Sequence, residues 1–157
     1  MPGLSTEARP DVVRAATWLP LLREALEREG VFRFPLRGAS MRPTLPVACD
    51  IEIVPLPAQT PLGALIVFVI DDTLIAHRLV RRLGGCWIAQ GDGRLGPDRP
   101  LEPSQILGMI VTAHQDGRLC WPTAASRVLT AFWVTRYWAL RPARAMRRAL
   151  RGIRRAI

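Results

Sequence analysis

The apolar positions change their period twice along the chain. Residues 10–29 set Leu22, Ala25 and Leu26 at helical spacing with charges opposite, and Gly30 follows where a helix closes in the left-handed conformation. The pattern predicts a helix over 10–29, with a kink or break at Pro20. From residue 31 onward, short apolar runs alternate with Gly, Pro and Asp. They predict strands near 31–36, 50–54, 64–70, 74–81, 86–90 and 106–113. Asp71-Asp72 and Gly84-Gly85 separate adjacent runs as hairpin turns. Strands at such regular spacing argue for a mainly β sheet or barrel core. After Trp121-Pro122 the helical period returns. Residues 128–140 are apolar on most faces, carry Phe132, Trp133, Tyr137 and Trp138, and are expected to be buried against the core or a membrane. Beyond Pro142, Met146, Ala149, Leu150, Ile153 and Ile157 fall within an arc of about 100°, with arginines filling the rest of the helix.

Charge divides the chain at a related place. All 22 basic residues are Arg, with no Lys. Residues 1–118 hold 13 Arg and all 13 acidic residues, so they are neutral, and residues 119–157 hold nine Arg and no acid. The expected division is an N-terminal helix (1–30), a β core (31–118) and a basic helical tail (119–157). With 157 residues, 49% of them hydrophobic, the chain can bury a core. Three cysteines (Cys49, Cys86, Cys120) and two histidines (His77, His114) are too few for a disulfide framework or a structural metal site. Residues 53–70 are uncharged, but Pro55, Pro57 and Pro61 interrupt them, and a buried strand after a Pro-rich loop is preferred to a membrane span. Charged residues near the start argue against a secretory signal peptide.

Three segments carry candidate chemistry. In Leu36-Arg37-Gly38-Ala39-Ser40-Met41-Arg42-Pro43-Thr44-Leu45-Pro46, a serine sits in a segment turned by Gly38 and stiffened by Pro43 and Pro46. A nucleophile needs such a rigid, accessible placement beside free backbone N–H groups; a plain strand-to-loop turn reads the same way. His77 lies in a strand pattern, where a histidine is as readily structural as catalytic. Without Lys, His77 and His114 are the only side chains suited to activate a serine near neutral pH. Gln90-Gly91-Asp92-Gly93-Arg94-Leu95-Gly96-Pro97-Asp98 is either an ordinary Gly/Asp loop or the source of an acid that orients the imidazole.

Taken in order, Gly38-x-Ser40-Met41-x-Pro43-Thr44-Leu45, Asp50, Gly63-x-x-x-Val67-Phe68, His77-Arg78, Gly91-Asp92 with Asp98, and Ile106-x-Gly108 resemble the S24/S26 serine peptidases. That family includes type I signal peptidases and the self-cleaving LexA-like repressors. The resemblance covers about residues 34–112. It implies a coiled antiparallel β fold, here with an N-terminal helix and C-terminal helices. It also implies Ser40 as nucleophile and His77 as general base, the Ser–His rather than the Ser–Lys branch. Asp98 is the first choice for the orienting acid and Asp92 the second. Gly38, Met41 and Pro43 would line the substrate and oxyanion region.

Three departures from the family pattern shape the expected function. Cys49 stands where a Gly usually precedes the acid, and Gly38 replaces a hydroxyl residue that donates to the oxyanion. The membrane anchor that normally precedes the serine segment has only a charged helix in its place. The reading is a cytoplasmic serine endopeptidase, possible also at the inner membrane surface, that cuts a leader or signal segment from a peptide or protein and needs no cofactor. The alternative is a non-catalytic scaffold that docks a membrane surface or an acidic partner through the Arg-rich tail. A DNA-binding repressor is disfavoured, since residues 10–29 hold one helix and not a helix-turn-helix.

Overall fold

A computed structural model describes residues 15–142. One helix, α1 (Ala15–Arg28), precedes seven strands: β1 (Phe32–Arg37), β2 (Ala48–Val54), β3 (Leu65–Ile70), β4 (Thr73–Leu83), β5 (Cys86–Gln90), β6 (Ile106–Gln115) and β7 (Arg118–Trp121). A second helix, α2 (Ala124–Ala139), follows. The protein is mainly antiparallel β, as the strand spacing predicts. The strand order is β1-β2-β6-β3-β4-β5, with β7 also paired to β6. β6 is the hub. One of its edges pairs with β2 along residues 109–114, and the other is shared by β3 at 106–109 and β7 at 113–115. Register shifts at Glu52/Ile53, Val67/Phe68, Leu79/Arg81 and Ala113/His114 bend the sheet, because each extra residue kinks its strand. Pro35, which has no N–H to donate, sits on the edge strand β1.

The uninterrupted apolar run at 64–70 has a physical cause. Leu65 and Val67 enter one core with Leu22, Leu26, Phe34, Ile51, Ile53 and Ile110, while Ile66 and Phe68 enter a second with Leu79, Ala89, Leu101 and Ile106. Side chains alternate across a strand, so a strand buried on both faces has no polar positions to show. Asp71 and Asp72 take φ of 48° and 58°, and Gly84 and Gly85 take 56° and 81°, the paired left-handed conformation of a tight hairpin turn.

Four features refine the expectations. α1 runs unbroken through Pro20. A third hairpin exists: Asp116 and Gly117 (φ 51° and 73°) turn the chain into β7. The expected boundary at 118/119 therefore falls inside a strand. Finally, residues 128–140 are not buried all round. Ser126 and Tyr137 mark the one face of α2 that packs, with Tyr137 against Val80 and Ile88, whereas Val128 and Phe132 are 73% and 54% exposed. The expected helix over 143–157 and the start of the predicted first helix lie outside the described residues. No helix among the described residues is long and apolar enough to cross a membrane.

Candidate active site

The serine segment is the excursion between β1 and β2. Its ends are closed by the Gly38 N–H donating to Val47 O at 2.8 Å. Met41 and Leu45 are buried in the main core, so the segment is anchored just after the serine while Ser40 stays partly accessible. Burial of those two side chains explains why Met and Leu follow the serine. The Gly93 N–H donates to Ser40 O at 2.9 Å, and the Thr44 hydroxyl donates to Asp92 Oδ2 at 2.5 Å. The serine's position is thus set from its own backbone and from the far loop.

His77 comes from the middle of β4, opposite Ile66 on β3, and is 1% exposed. Its Nε2 lies 3.0 Å from Ser40 Oγ, and its Nδ1 lies 2.6 Å from Asp98 Oδ2. With Nδ1–H donating to the carboxylate, Nε2 is the acceptor for the serine hydroxyl, which is the tautomer a general base needs. The ring rests edge-on against Phe68, with centroids 5.9 Å apart. Asp98 is held in turn. Its N–H donates to Ala89 O at 2.8 Å, and the bridge between Trp87 and the fully buried Leu101 closes the loop behind it.

Asp92 has a different partner. Arg78 donates through Nε to Asp92 Oδ1 at 2.8 Å and through Nη2 to Oδ2 at 2.6 Å. Both groups are almost fully buried, at 0% and 3% exposure. The remaining Arg78 donor, Nη1, reaches Gly63 O at 2.8 Å and Thr130 Oγ1 at 2.9 Å. Asp92 therefore does not face His77. It joins the serine segment, through Thr44, to β4, through Arg78. Sequence reasoning quoted Arg78 and Thr44 without giving them a role, and it passed over Thr130. The dipeptide His77-Arg78 was the available signal, since neighbours on a strand point to opposite faces. On one face β4 offers the imidazole, and on the other the guanidinium.

Gly91 shows how tightly these pieces meet. A Cβ at this position would stand 2.6 Å from Ser40 O and 2.9 Å from His77 Nε2, so any larger residue would push the two apart. Gly63 plays the same part for α2, where a Cβ would collide with the Thr130 methyl.

A cleft of about 240 Å³ opens beside Ser40 and His77. It is lined by the apolar Phe34, Leu36, Leu45, Leu74 and Ala76, together with Arg37, Gly38, Met41 and Arg94. Of the residues expected there, Gly38 and Met41 line it. Pro43 does not, lying instead beyond the serine in a cis peptide with Arg42. His114, the other candidate base, faces Asp50 across β6–β2 and lines a separate depression with Arg33 and Glu52. Cys49 is buried in the main core, and burial, with Cys120 and Asp50 adding to it, pushes its thiol up to about 11. Among the described residues, no group of three or more His, Cys, Asp or Glu is placed to hold a metal ion. The chain matches no protein-family model, and no curated protein sequence matches it.

Proposed function

We propose that the protein is a serine endopeptidase that removes a leader or signal segment from a peptide or protein. The observation that carries this reading is the linear hydrogen-bonded chain Ser40–His77–Asp98 at the edge of an apolar cleft. Ser40 Oγ attacks the scissile carbonyl while His77 Nε2 takes its proton. The C–N bond then breaks, and His77 returns the proton to the leaving amine. Water, deprotonated by His77, cleaves the resulting ester and restores the serine. Asp98 holds the imidazole tautomer and steadies its charged form. The Gly38 N–H is engaged with Val47 O, whereas the Ser40 N–H donates to no group among the described residues; the latter is our choice for the oxyanion donor.

The test uses a serine-directed acylating probe and an internally quenched peptide whose leader ends in small residues. Wild type is expected to be labelled and to cleave. Ser40→Ala is expected to do neither, and His77→Ala to lose about 10²–10⁴-fold in kcat. Identical behaviour of wild type and Ser40→Ala in both assays would remove the catalytic reading and select a non-catalytic scaffold.

A second observation bears on where the protein works. Val128 and Phe132 project from α2 in a region with nine Arg and no acid between residues 119 and 157. Exposed apolar groups beside unopposed cations suit an anionic membrane surface. Flotation with phosphatidylglycerol vesicles at low salt is expected, with weaker binding by Val128→Glu/Phe132→Glu; no flotation at low salt removes this docking mode.

A further inference from the structure

We infer that Arg94 makes the cleft selective for substrates bearing an acidic side chain at one of the first two residues after the scissile bond. This rests on the endopeptidase reading and adds the chemistry of its substrate. The starting point is the position of the arginine stem. The Cβ that would stand 2.9 Å from His77 Nε2 if built on Gly91 would also stand 3.1 Å from Arg94 Cγ. The Arg94 Cγ therefore lies within about 6 Å, the sum of those two distances, of the nitrogen that would exchange protons with the leaving group. Its backbone is fixed there. The Arg94 N–H donates to Gly91 O at 2.9 Å, and the Gln90 side-chain amide donates to Arg94 O at 2.9 Å. A closed turn thus sets where the guanidinium can reach.

The charge around that position is one-sided. Arg94 is exposed and lines the cleft, and no carboxylate lines it. Two arginines line the cleft, Arg37 and Arg94, and among the described residues neither forms an ion pair with a carboxylate; the contact at Gly91 sets the stem of Arg94 on the His77 side. Asp98, the nearest acid to the reacting atoms, is turned away behind the imidazole ring, on Nδ1. A substrate approaching Ser40 thus meets an unneutralised, fork-shaped donor, whose complement is a carboxylate. The side of the scissile bond follows from proton transfer. The leaving amine must come to His77 Nε2 to be protonated, so the first residues of the leaving segment pass the Arg94 stem. The apolar residues of the cleft (Phe34, Leu36, Leu74) are left for the acyl side.

The experiment compares internally quenched peptides identical except for Glu, Gln or Lys at the first or second residue after the junction. At one of these positions wild type is expected to prefer Glu over Gln by about tenfold in kcat/KM, with Lys poorest and the preference shrinking at high salt. In Arg94→Gln the Glu/Gln ratio should collapse towards one, and in Arg94→Glu the order should reverse to favour Lys. Cleavage of all peptides at equal rates by wild type, or an unchanged ratio in Arg94→Gln, overturns the inference and leaves the peptidase reading standing. No cleavage of any peptide and no labelling by the acylating probe overturns both.

Discussion

The two faces of β4 are built from neighbouring residues and do opposite things. On one side His77 belongs to a chain of hydrogen bonds that ends on an accessible hydroxyl and opens into a cleft. On the other, Arg78 has donors engaged with Asp92, Thr44, Gly63 and Thr130, all closed off from solvent or nearly so. Both faces hold a buried base-type side chain against a carboxylate. They differ in whether the network is finished. A saturated network has no hydrogen bond left to offer a substrate, and its role is to hold segments together. An unfinished one, with a nucleophile at its open end, can do chemistry. Burial and charge alone do not distinguish the two; the free end does.

The sharpest way to break this contrast is to neutralise each acid in turn. Asp98→Asn is expected to lower kcat by about 10²–10⁴-fold, because the imidazole loses the acceptor that fixes its tautomer. Its melting temperature should move little. Asp92→Asn is expected to act first on stability. It leaves the Arg78 guanidinium buried without a counter-charge, at a cost of about 3–5 kcal/mol, and Tm falls on the order of 10 °C. Thermal unfolding and peptide turnover measured on both variants decide the matter; stability lost in Asp98→Asn and activity alone lost in Asp92→Asn would exchange the two roles. Ending the chain after residue 123 belongs to the same comparison and should behave as a milder Asp92→Asn. It removes the Thr130 acceptor of Arg78 and the packing of Tyr137 on Val80 and Ile88, and a urea titration should show a loss of about 1–3 kcal/mol. Among the described residues, α2 thus braces the finished face.

The smallest expected effect concerns Cys49. Its thiol, pushed up to about 11 mainly by burial, stays protonated in the folded protein where an unfolded thiol ionises. The unfolded state therefore holds fewer protons between the ordinary thiol range and pH 11, and stability declines as pH rises through that window. Iodoacetamide at pH 8.5 should leave Cys49 unmodified in the native protein and modify it in urea, as read by mass spectrometry, because the thiolate is the reactive form.

Much of the architecture was legible in the chain. Six of the seven strands announce themselves as apolar runs, and two of the hairpins by Asp71-Asp72 and Gly84-Gly85. β7 did not, since it is four residues long and opens with Arg118; only the Asp116-Gly117 turn marked it. Ser40, His77 and Asp98 were each readable as candidates. Nothing local separated Asp98 from Asp92, because both lie in one Gly-rich loop and the difference between them is which face of β4 each one meets. Arg78 was readable only as half of a dipeptide, since its partners come from positions 44, 63, 92 and 130.

The amino-acid sequence by itself determined the antiparallel β character, the neutral core with its basic C-terminal quarter, and, through the absence of Lys, that no serine in this chain can be paired with a lysine base. These follow from period, composition and side-chain chemistry, which are properties of short stretches. Only the tertiary structure decided which histidine and which acid stand in line with Ser40, and which arginine holds the other acid. Ser40, His77 and Asp98 are 37 and 21 residues apart in the chain. What brings them within hydrogen-bond reach is the sheet register, the burial of Met41 and Leu45, and the close backbone approach that Gly91 permits.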